Sequence, residues 1–73
     1  MKTLYDVQQF LKKYGTIIYI GDRIADLGLM EEELKELFRA QLIDTKEYQS
    51  AIGLVRSHLA KELDLKESRG ENE

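Results

Sequence analysis

The chain has no cysteine, no proline and a single histidine among its 73 residues. Without cysteine there can be no disulfide, thiolate nucleophile, zinc finger or iron–sulfur cluster, so the fold must hold by packing alone. Without proline, nothing interrupts a helical register from inside. No apolar run approaches the 18 residues a membrane span needs, and no signal-peptide core follows Met1, so a cytoplasmic setting is the default expectation. Seventy-three residues leave room for one small domain, whose total stability should be roughly 4–11 kcal/mol. A net charge of −3 argues against a surface that coats nucleic acid along its whole extent.

Apolar residues recur at helical spacing over most of the chain, which predicts an all-α fold. A first helix is expected over about Leu4–Tyr14, with Thr3 as N-cap, Gly15 as the left-handed stop, and Leu4, Val7, Phe10, Leu11 and Tyr14 turned inward. The β-branched run Thr16-Ile17-Ile18-Tyr19-Ile20 is too short for a helix and has no second run to pair with. It is expected to be an extended connector whose isoleucines plug the core. Asp22 then caps a second helix over about Arg23–Gln41, with Ile24, Leu27, Met30, Leu34, Leu37 and Phe38 inward. Asp44 and Glu47 have the spacing of a capping box ahead of a third helix, Thr45 to about Leu63, which presents Tyr48, Ile52, Val55, Leu59 and Leu63. From Asp64 to Glu73 the residues are almost all polar, so a flexible acidic tail is expected after a three-helix bundle over residues 1–63.

Chemistry-bearing patterns are sparse. His58 and Glu62 stand one helical turn apart, but two ligands from one helix fall short of a metal site, and no nucleophile or phosphate-loop motif is present. No enzyme activity, metal or cofactor is therefore expected. Glu31, Glu32, Glu33 and Glu36 point around the helix in different directions, which suits a solvated face with Lys35 and Arg39 as partners.

Two local patterns suggest anion binding. Tyr5, Gln8 and Lys12 fall on one face of the first helix with Lys13 beside them, where an aromatic ring could stack on a base while cations meet phosphates. An ordinary soluble face carrying one tyrosine has the same spacing. At Tyr19-Ile20-Gly21-Asp22-Arg23, a helix start with its free N–H groups and an arginine could hold a phosphate. Asp22 could equally occupy those donors as a cap and neutralise Arg23. Separately, Leu29 and Leu54 lie opposite the inward arcs of their helices. If both are exposed and close in space, they form a surface for a protein partner or a homodimer.

The run Tyr5-Asp6-Val7-Gln8-Gln9-Phe10-Leu11-Lys12-Lys13-Tyr14-Gly15, followed by Tyr19-Ile20-Gly21-Asp22-Arg23, Asp26, Met30-Glu31 and Leu42-Ile43-Asp44 with Tyr48, resembles the YqgQ-like family of small bacterial cytosolic proteins. The likeness spans about Thr3 to Leu63. It implies a three-helix bundle and, as a role, the binding of single-stranded nucleic acid. Carried over by position, the residues that would serve such binding are Tyr5, Lys12, Lys13, Tyr19 and Arg23, with Arg39 as a cationic neighbour. The acid-rich C-terminal half would confine attraction to one patch and keep it weak.

Overall fold

In the computed structural model the described residues are 1–71, with side chains through Glu67, and they form three helices: α1 (Leu4–Lys13), α2 (Arg23–Arg39) and α3 (Thr45–Glu71). α2 and α3 share the largest interface, and α1 lies across them, packed more on α3 than on α2. Two cross-helix ion pairs fix the antiparallel sense. Glu31 meets Arg56 and, eight residues back along α2, Arg23 meets Glu62, six residues on along α3. At 27 residues α3 is about 40 Å long, which accounts for the long dimension of a body measuring 45 × 22 × 20 Å.

Each helix boundary follows from its capping residues. Thr3 accepts the Asp6 N–H through its side chain, and Asp6 accepts the Thr3 N–H in return. Asp22 accepts the Ala25 N–H, and Asp44 and Glu47 exchange bonds as the sequence predicts. α1 stops in a Schellman turn. Gly15 takes φ 83°, its N–H reaching the Lys12 carbonyl while the Thr16 N–H reaches that of Leu11. α2 stops the same way with Gln41 in the left-handed position at φ 61°, its N–H on the Phe38 carbonyl and the Leu42 N–H on that of Leu37.

The core draws on all three helices. Val7, Leu11, Leu27, Met30, Leu34 and Val55 are almost wholly buried, and Ile43 closes the α2–α3 turn. No polar side chain is buried among the described residues.

Several expected inward residues are placed differently. Tyr14 and Phe38 stand at the rim, more than a third exposed. Tyr14 packs edge-on against Phe10 and donates its hydroxyl to the Leu42 carbonyl, while Phe38 stacks on Tyr48 with ring centroids 4.4 Å apart. Each ring keeps aromatic contact while its far edge reaches water. Leu63 is exposed because α2 begins opposite Glu62 and α3 runs on past it. The third helix does not stop at Leu63 but continues to Glu71, since Lys, Glu and Leu are good helix formers and nothing in 64–69 breaks the register. Residues 72–73 of the expected tail lie outside the described residues.

The connector also departs from expectation. Only Ile18 packs on the core, whereas Ile17 and Ile20 are mostly exposed. An extended chain turns alternate side chains to opposite faces, so one isoleucine in a short run can point inward while its neighbours point out. The connector runs back along α2 as a strap. Thr16 Oγ1 donates to Glu33 Oε1 at 2.9 Å, and the Ile20 N–H donates to Asp26 Oδ1 at 2.8 Å. Asp26, Met30 and Glu33 form one ridge of α2 at helical spacing, and the strap lies over it.

Candidate nucleic-acid interface

The strap and α1 stand apart enough to leave a groove of about 270 Å³ between them. Gln8, Gln9 and Lys12 line its α1 wall, Thr16, Ile17, Ile18 and Tyr19 the strap wall, and Leu11 and Met30 also line it. Among the described residues no carboxylate lines it, and Glu33, beside Thr16, accepts the Thr16 hydroxyl. Tyr5 lies one turn before Gln8 and Gln9 on the same helical face, and both Tyr5 (65% exposed) and Tyr19 (85% exposed) offer most of their surface to solvent. Lys13 borders a second, shallower hollow on the other side of the α1 ridge, with Lys46, Phe10 and Glu47.

The expected site residues divide into two groups. Tyr5, Lys12, Lys13 and Tyr19 cluster on or beside the outer face of α1, and among the described residues neither lysine has a carboxylate within ion-pair distance. Arg23 and Arg39 do not join them. Arg23 Nε faces Glu62 Oε1 at 3.6 Å and Arg39 Nη1 bonds Glu36 Oε1 at 2.6 Å, so each guanidinium stands beside an acid. At the start of α2 the local alternative is the one present. Asp22 takes the Ala25 N–H as cap, and Asp26 takes that of Ile20. Gly21 adopts φ 95° to make the turn into the helix. The Glu31–Glu36 cluster is spread over Arg56, Lys35, Arg39 and Thr16, a network of surface pairs.

The electrostatics follow this separation. Hydrogen bonding to Glu31 pushes the Arg56 guanidinium above its ordinary pKa. The backbone N–H groups of Lys2 and then Thr3 hold the Asp6 carboxyl below the usual carboxylate range, so the one acid beside the outer arc of α1 is engaged in its own cap. The expected Leu29–Leu54 surface is not formed as a matched pair. Leu29 is exposed, but Leu54 is half-buried, packed against the core. Sequence reasoning missed Gln9, Thr16 and Lys46, which reach these hollows only through tertiary packing.

The family model described as YqgQ-like matches residues 1–61. The chain is 42% identical over 59 residues to an uncharacterized protein YqgQ of Bacillus subtilis (strain 168), a match covering 81% of this chain and 83% of that one.

Proposed function

We propose a role for a chain that belongs to the YqgQ-like family: it binds single-stranded nucleic acid weakly and without sequence preference through the outer face of α1 and the strap. One observation carries the reading. On a body of net charge −3, Lys12 and Lys13 have no ion-pair partner among the described residues; Lys12 and the largely exposed Tyr19 line a groove with no carboxylate among its described lining, while the exposed Tyr5 lies farther along α1 and Lys13 stands across the α1 ridge. Lys12 and Lys13 would meet successive phosphates, Tyr5 and Tyr19 would stack bases, and the Gln8 and Gln9 amides would donate and accept along base edges. Arg23 and Arg39 are left out of the site, since a cation already beside a carboxylate gains little from a phosphate. The reading is of a non-enzymatic, cytoplasmic protein.

Fluorescence anisotropy with labelled oligothymidylate and oligouridylate over a series of salt concentrations tests this. Two phosphate contacts predict a log–log salt slope of about −1.4 on a single strand. The absence of binding at low salt, or binding indifferent to salt, would remove the proposal.

A further inference from the structure

The strap has the features of an unpaired sheet edge. Thr16, Ile17, Ile18, Tyr19 and Ile20 are all uncharged, and four of the five are apolar or aromatic residues that favour strands. Consecutive residues of an extended chain aim their N–H and C=O groups at opposite edges. On one edge the Thr16 N–H is taken by the Leu11 carbonyl and the Ile20 N–H by Asp26. The other edge belongs to Ile17 and Tyr19, and among the described residues neither has a backbone partner there. The same two residues are the most exposed large hydrophobic or aromatic ones among the described residues, at 78% and 85%.

We infer that the strap pairs with the strap of a second copy of this chain, as a two-stranded antiparallel ribbon centred on Ile18.

The centre follows from self-complementarity. With Ile18 opposite Ile18 of the second copy, Ile17 of each chain faces Tyr19 of the other. The N–H and C=O groups of these two residues then complete four hydrogen bonds on the unoccupied edges. Ile17 beside Tyr19 is a β-branched–aromatic pair, a favourable cross-strand combination. Charge agrees with the antiparallel sense. Lys12 stands beside the start of the strap, and Asp22 and Asp26 stand at its end, where Arg23 is already paired with Glu62, so the cation of one copy lies toward the acids of the other. Gly15 and Gly21, both at positive φ, end the extended stretch and limit the ribbon to about five residues, while the bonds already made by Thr16 and Ile20 on the other edge limit it to two chains.

Area sets the strength. Ile17, Tyr19 and Ile20 from both copies would remove at most on the order of 800 Å² from water, since side chains on the faces of a ribbon stay partly solvated, and that is below the roughly 1,200–2,000 Å² of a stable interface. The pairing is therefore weak and concentration-dependent.

Sedimentation equilibrium from micromolar to millimolar protein tests the pairing independently of any nucleic acid. The average mass should climb from 8.5 kDa toward twice that value. Ile17→Lys, at a position outside the core, should stay monomeric with its helical circular dichroism unchanged, and Leu29→Lys should associate like the parent. In a chain without native cysteine, an equal mixture of Ile17→Cys and Tyr19→Cys proteins under mild oxidation should form an intermolecular disulfide more than either alone, because only the directly opposite pair comes within disulfide reach. A monomer at every concentration would overturn the inference. So would association that survives Ile17→Lys, association lost in Leu29→Lys, or crosslinking no greater in the mixture.

Discussion

The Thr16 hydroxyl donates to the Glu33 carboxylate at 2.9 Å, joining the start of the strap to the middle of α2 across 17 residues of chain. That bond and the Ile20–Asp26 bond hold the strap over Met30, so the groove wall carrying Tyr19 is fixed at both ends by acids of one helix. Thr16→Val keeps the shape and removes the donor. It should cost about 1 kcal/mol, the usual net worth of such a bond, read as a lower urea midpoint. Chymotrypsin should also cleave after Tyr19 faster than in the parent. An unchanged cleavage rate would show that packing of Ile18 alone holds the strap.

Gln41 occupies the left-handed position of the second Schellman turn, a conformation that costs a non-glycine residue roughly 1–2 kcal/mol. Glycine adopts it freely but loses more backbone entropy on folding. Gln41→Gly should therefore stabilise the protein by about 0.5–1 kcal/mol, measured as a rise in thermal midpoint. The same change at Ala40, which is in the right-handed helical region, should destabilise it.

Leu34 and Leu29 lie five residues apart on α2, one fully buried and the other 45% exposed. Leu34→Ala removes packing from all sides and should cost about 2–5 kcal/mol. Against a total of roughly 4–11 kcal/mol, that brings the domain close to unfolding. Leu29→Ala should stay within about 0.5 kcal/mol. Denaturant titration separates the two.

Asp6 gives the fold one predictable response to acid. Its carboxyl is held below the ordinary range by the Lys2 and Thr3 N–H groups, bonds that an unfolded chain lacks. The stabilisation is therefore fully present above the unfolded carboxylate pKa, about 3.9, and is lost as pH falls through the lower, folded value. Asp6→Asn should flatten the part of the stability–pH curve below about pH 4 that comes from this group. Thr3→Ala should cost about 1 kcal/mol at neutral pH by removing the cap.

The helices were legible in the sequence because their signals are local. Thr3, Gly15, Asp22 and the Asp44–Glu47 pair mark boundaries by chemistry that acts within one turn, and the structure uses each of them. Lys35 and Arg39 found their acidic partners for the same reason. What could not be read was set by distant packing. Arg23 meets Glu62 only because α2 and α3 run antiparallel with that register, and Leu54 is half-buried because tertiary packing brings it against the core. Ile17 and Ile18 are chemically identical, so the strap's choice of Ile18 to face inward depends on where Glu33 and Asp26 anchor it. The end of α3 is not legible in the sequence, because a polar composition suits a solvated tail and a protruding helix alike, and each residue through Arg69 tolerates a helix.

The division of the cations gives the sharpest test of the interface. Each lysine that meets a phosphate releases counterions, so Lys12→Ala and Lys13→Ala should each lower the magnitude of the salt slope for oligothymidylate by about 0.7 and weaken binding alike across sequences. Arg23→Ala and Arg39→Ala should leave the slope unchanged, because Glu62 and Glu36 already balance those charges. Removing either arginine also leaves an uncompensated acid, so if the oligonucleotide passes near them the affinity falls even without direct contact. A drop in affinity at constant slope would place the strand within a Debye length of the α2 ends, about 10 Å at 0.1 M salt. A drop in slope as well would mean that phosphate displaces the carboxylates, and the interface would then extend from α1 along the whole strap to the start of α2.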